Sequence, residues 1–148
     1  MDYYYFGFSW KSLIVFLLPM IPNMFYFFIP TSDASKNANS HLFLDILEHG
    51  SQAIFIFLLL FVISKQGSEL VSLYTISMTI MLVIYYVLWI SYFSGNISLA
   101  SLLGMVVLPV IYFVLAEIWL HNYLAIVPTL LFGLVHIIIT CIDYQFKS

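Results

Sequence analysis

LVSLYTISMTIMLVIYYVLWISYF, residues 70–93, runs from Leu70 to Phe93 without one charged side chain. A helix rises ~1.5 Å per residue, so about 20 such residues cross the ~30 Å hydrocarbon layer of a bilayer. This stretch is long enough to span. Four further apolar runs surround it: Ser12 to Pro30, Leu42 to Ser64, Leu99 to Leu120 and Tyr123 to Ile142. Inside lipid each backbone amide has to be paired within its own segment, and sheet edges are not tolerated, so runs of this length are helices. The alternating ten-residue segments of a membrane β-barrel are absent. The expected fold is all-α: a polytopic membrane helical bundle, a single domain over residues 1–148, with five transmembrane helices at about 12–30, 42–64, 70–93, 99–120 and 123–142. The connections TSDASKNANS, KQGSE, SGNIS and the turn at His121-Asn122-Tyr123 are short, which makes neighbouring helices antiparallel. Because Pro19 and Pro22 interrupt the first run and the last reversal is tight, four spans plus one re-entrant segment is the alternative.

Composition points the same way. Hydrophobic residues make up 64% and charged residues 7%, with a mean hydropathy of +1.08, whereas a soluble domain carries roughly a quarter charged residues. The cations are Lys11, Lys36, Lys65 and Lys147, with no arginine. Four scattered lysines build no basic patch, so nucleic acid is excluded as a partner. A lone Cys141 rules out an intrachain disulfide and a multi-cysteine metal site. Lys11 ahead of an apolar run imitates a secretory signal, but no small-x-small cleavage site follows before Pro30, so a span is expected instead. Tyr3, Tyr4, Tyr5, Phe6, Phe8 and Trp10 form an aromatic belt of the kind that sits at headgroup level.

In a five-span chain Lys11 and Lys65 share one side, Lys36 and Lys147 the other. Lys11 and Lys65 abut helix ends directly, which favours a cytoplasmic N-terminus. Asn96-Ile97-Ser98 is a glycosylation sequon, relevant only in a eukaryotic secretory pathway.

An ionisable side chain in hydrocarbon costs a few kcal/mol and normally faces the bundle interior, where it marks function. In the second run His41, Asp45, Glu48, His49 and Gln52 fall within an arc of roughly 100° at helical spacing, leaving Phe43, Leu47, Ile54 and Leu58 on the opposite face. Glu48 and His49 lie about 10 Å in from the end that carries TSDASKNANS, and His136 in the fifth run and Asn23 in the first reach a similar height. Three helices thus place polar side chains in one layer, as a shared site requires. Thr129, Gly133, His136, Thr140 and Asp143 share a side of the fifth helix, and Ser72, Thr75, Thr79 and Tyr86 form a weaker stripe on the third. Pro19 and Pro22 each leave a carbonyl that must find a partner or line a cavity. Glu117 and His121, at i and i+4 near the opposite membrane face, read as an interfacial ion pair beside Trp119.

Glu48, His49, His136 and Asp45 are therefore the candidate acid/base residues, and Asn23, His41, Gln52, Tyr86 and Thr129 the candidate ligand contacts. Carboxylate and imidazole can hold zinc, but no HExxH-type spacing is present, and neither a metal nor another cofactor is expected. In a low-dielectric layer the proton affinities of carboxyls and imidazoles converge, which suits proton transfer. The expectation is a membrane protein whose polar pocket binds or transports a small amphipathic or lipid-like ligand. The alternatives are a membrane-embedded acid/base enzyme acting on a lipid or isoprenoid-like substrate and a small accessory subunit. Membrane lipid or a hydrophobic small molecule is the expected partner, with a second copy or a partner membrane subunit as a further possibility. A purely structural Glu48–His136 pair that fixes helix register is the competing explanation.

Overall fold

The computed structural model describes residues 3–29 and 41–147. Along the chain it comprises β1 (Tyr4–Phe6), α1 (Trp10–Tyr26), α2 (Leu42–Phe61), β2 (Val62–Ser64), α3 (Leu73–Phe93), α4 (Leu99–Trp119) and α5 (Tyr123–Lys147). Among the described residues the regular structure is all-helical apart from two three-residue strands, and α2 to α5 are each long and apolar enough to cross a membrane. Only 17–22% of each of those spans is buried within the chain, and the outward remainder of α3 and α5, from Ile76, Val83 and Val87 to Val127, Leu134 and Ile138, is aliphatic surface suited to lipid. At 17 residues α1 is shorter, and its second half packs along the second half of α3, where Tyr26 meets Trp89 and Tyr92. The expected 12–30 span thus ends at Tyr26 as regular helix, and the predicted end of the second span, Val62 to Ser64, is strand instead. At the other end of the chain, α5 continues past Ile142 to Lys147.

Serine starts three of the helices. Ser9, Ser72 and Ser98 accept from the amides of Ser12, Thr75 and Ser101, and at the last two sites the third residue's hydroxyl takes the cap's amide in return. These bonds satisfy amide donors that a helix start leaves open. Two ends are closed by residues in the left-handed region: Gly95 (φ 88) after α3 and His121 (φ 54) after α4. In both, the next amide reaches back to the helix, Asn96 N–H to Ser91 and Asn122 N–H to Glu117, a Schellman closure that allows the abrupt reversals.

In the packing order α4 lies between α3 and α5, α5 between α4 and α2, and α1 crosses α2, α3 and α4. Lipid offers no hydrophobic force between helices, so close approach and hydrogen bonds hold them. Gly133 permits the α4–α5 approach, since a Cβ there would stand 2.8 Å from both methyls of Val110, and Gly104 does the same against Leu88 on α3. Phe55, Leu59, Tyr112, Phe113, Ala116 and Trp119 fill the centre.

The expected fold has no sheet, yet among the described residues strands pair at one end of the bundle. β1 lies antiparallel to β2, Tyr4 opposite Ser64 and Phe6 opposite Val62, with Gly7 and Ser9 amides bonded to the carbonyls of Phe61 and Leu60. The strand thereby takes up carbonyls that the end of α2 leaves open. Asn122 adds to this, its side-chain amide donating to the carbonyls of Leu58 and Val62.

Candidate functional site

The antiparallel arrangement of α1, α2 and α5 sets the height of the predicted polar layer. Counting from the end that carries the strands, Phe61 to Glu48, Tyr123 to His136 and Trp10 to Asn23 are all thirteen steps, or ~20 Å at 1.5 Å each. Glu48 and His136 meet across the α2–α5 interface, His136 Nδ1 against Glu48 Oε1. The proton in this bond can reside on carboxyl or imidazole, the second ring nitrogen staying available. Phe132 stacks on the His136 ring at 5.4 Å and 16°, which with the Glu48 contact holds the ring in place.

His49 stands on the other side of the carboxylate, its Nδ1 3.9 Å from Glu48 Oε2 and 2.8 Å from the Asp45 carbonyl to which it donates. The side chains are graded in exposure: Glu48 12%, His136 40% and His49 74%. The pair therefore lies on the flank of the bundle and not in a closed chamber. Asp45 and Gln52 are half-buried on the same face of α2, and His41 is exposed at the helix start without capping it. Among the described residues no three His, Cys, Asp or Glu gather to hold a metal ion.

Asn23 keeps the common height but points elsewhere. Its amide donates to the Tyr85 hydroxyl on α3 and to the Pro19 carbonyl. A single constellation of Asn23, Glu48, His49 and His136 is therefore corrected to two, because neighbouring helices that share a level still differ in the direction their side chains take.

The prolines of α1 explain what the tyrosines do. An α-helical amide at position i bonds the carbonyl at i−4, so Pro19 frees the carbonyl of Val15 and Pro22 that of Leu18. Each freed carbonyl accepts from a tyrosine of another helix, Val15 from Tyr112 at 2.9 Å and Leu18 from Tyr86. Tyr86, a candidate ligand contact, thus has its hydroxyl engaged within the bundle. These freed carbonyls find partners rather than open a cavity.

Thr129, another candidate contact, is fully buried and bonds the Glu117 carboxyl across the α4–α5 interface as well as the Ala125 carbonyl. The expected Glu117–His121 surface pair does not form: Glu117 is 0% exposed, and His121 leaves the helical path at its positive φ. Glu117 Oε2 has no partner among the described residues. Sequence spacing missed this burial, although the Thr129–Gly133 stripe already marked the face of α5 that receives α4.

No protein-family model matches the chain, and comparison with curated proteins and with solved structures yields no match.

Proposed function

We propose that this multi-pass membrane protein binds a small amphipathic or lipid-like ligand on the α2–α5 flank, with Glu48 and His136 as the polar, proton-exchanging contact. One observation carries the reading: two ionisable groups from different helices pair ~20 Å along the spans from the strand-bearing end while the imidazole stays 40% exposed. A pair serving register alone gains nothing from an open imidazole, since hydrocarbon around a half-exposed polar ring is costly. A ligand resident in the bilayer reaches this flank laterally and supplies the missing hydrogen-bond partner. Lys11 and Lys65 at the strand-bearing end support an N-terminus on the cytoplasmic side.

His49 favours a second reading, a membrane-embedded acid/base enzyme. Its exposed ring beside Glu48 Oε2 provides a second proton carrier, and Asp45 orients that ring through its carbonyl.

Untargeted lipid and metabolite analysis of purified wild type, Glu48→Gln and His136→Gln tests the binding reading. The expected result is one compound class retained by wild type and lost from both variants at unchanged melting temperature. Identical complements in all three proteins would refute it.

A further inference from the structure

At the end opposite the open flank, where β1 and β2 pair, a cavity of about 140 Å³ has a polar side formed by Ser9, Lys11, Ser12, Ser64, Gln66, Ser68 and Asn122 and an apolar side formed by Val62, Ile63 and Leu120. Among the described residues no carboxylate lines it. The Ser12 hydroxyl is spent as a donor, whereas those of Ser9, Ser64 and Ser68 accept. Ser9 Oγ accepts from the amide and hydroxyl of Ser12, Ser64 Oγ from the amide of Gln66, and Ser68 Oγ from Lys11 Nζ at 3.3 Å. A hydroxyl that accepts still carries its own proton, so Ser9, Ser64 and Ser68, with the remaining protons of the Lys11 ammonium, form a donor-rich lining. Asn122 is 2% exposed at the inner wall, its amide committed to Leu58 and Val62 while Oδ1 has no donor among the described residues. The Lys11 ammonium lies 5.9 Å over the Trp119 ring, which holds it at the rim.

Many donors around one cation call for an oxyanion, and the buried Asn122 oxygen adds one acceptor for a ligand hydroxyl or amine. We propose that this cavity is a phosphate site that takes the headgroup of an anionic, hydroxyl-bearing phospholipid from the adjoining leaflet. The exposed rings of Tyr3, Tyr5, Phe6, Phe8 and Trp10 surround this end as an interfacial belt does, which places the cavity at phosphate level. The site is separate from the Glu48–His136 flank and stands or falls without it.

The test uses the full chain in nanodiscs of phosphatidylglycerol mixed with phosphatidylcholine, reading bound lipid by native mass spectrometry. Wild type should retain phosphatidylglycerol preferentially, and Lys11→Gln should lose about fivefold of that preference, the effect of one lysine at an anionic surface. Lys65→Gln, which removes an equal charge at the same end but outside the cavity, should change it little; equal losses would overturn the site in favour of diffuse attraction. Ser64→Ala with Ser68→Ala should reproduce the Lys11→Gln loss with no change of charge, and retention at the wild-type level would overturn the donor argument. Lys11-dependent binding of soluble glycerol 3-phosphate without any lipid preference would overturn the lipid assignment and leave a site for a free phosphate ester. Absence of both overturns the proposal entirely.

Discussion

Replacing Tyr112 by Phe removes one oxygen from the centre of the bundle and leaves the ring in place. That ring is 3% exposed and packs edge-on against Phe113 at 5.3 Å, so packing is preserved and only the bond to the Val15 carbonyl is lost. An average hydrogen bond between membrane helices is worth about 0.6 kcal/mol because the severed partners find substitutes. Here the usual substitute does not exist, since residue 19 is proline and has no amide to offer. The cost should therefore approach that of a buried, unpaired carbonyl, ~1.5–2 kcal/mol. Adding Pro19→Ala restores the amide donor and should recover about 1 kcal/mol of that loss. In the wild-type background the same Pro19→Ala change meets a carbonyl already paired and should be nearly neutral. Reversible unfolding in mixed micelles, followed by helical circular dichroism, gives the four free energies of the cycle. A Tyr112→Phe loss below about 0.5 kcal/mol, or no recovery on adding Pro19→Ala, would refute the assignment of this hydroxyl to the proline-freed carbonyl.

Gly133→Ala inserts a methyl 2.8 Å from both Val110 methyls and should separate α4 from α5, at about 1–3 kcal/mol in the same unfolding assay. Thr129→Val, close in shape, withdraws the hydroxyl from Glu117 and should cost about 1–3 kcal/mol, with Glu117→Leu in addition regaining part of it; an additive double variant would contradict the pairing.

What the sequence made legible is what depends on distance along one helix. The spans, the height shared by Glu48, His136 and Asn23, and the need of Pro19 and Pro22 for carbonyl partners all follow from rise, spacing and a missing amide. What stayed hidden depends on how one helix is rotated against another. Asn23 turns toward Tyr85 instead of Glu48, and Glu117 turns inward to Thr129 although it lies only two residues from the end of α4. Local pattern also gave no warning of β1, because three residues pairing with a segment far along the chain have no signature of their own. Likewise, i to i+4 spacing pairs His121 with Glu117, whereas its backbone at φ 54 turns the chain.

The tyrosine partners of α1 lie far downstream, Tyr86 68 residues and Tyr112 97 residues beyond the carbonyls they serve. Chain growth produces α1 long before either is made, and β2 follows α1 only after residues 27–61. The nascent segment must therefore lodge with two bare peptide oxygens, held against water or the insertion machinery, until the third and fourth helices arrive. For α1 synthesis and completion are far apart: it is made before α3 and α4 yet needs both, so premature termination before Tyr86 leaves the carbonyls of Val15 and Leu18 without their tyrosines.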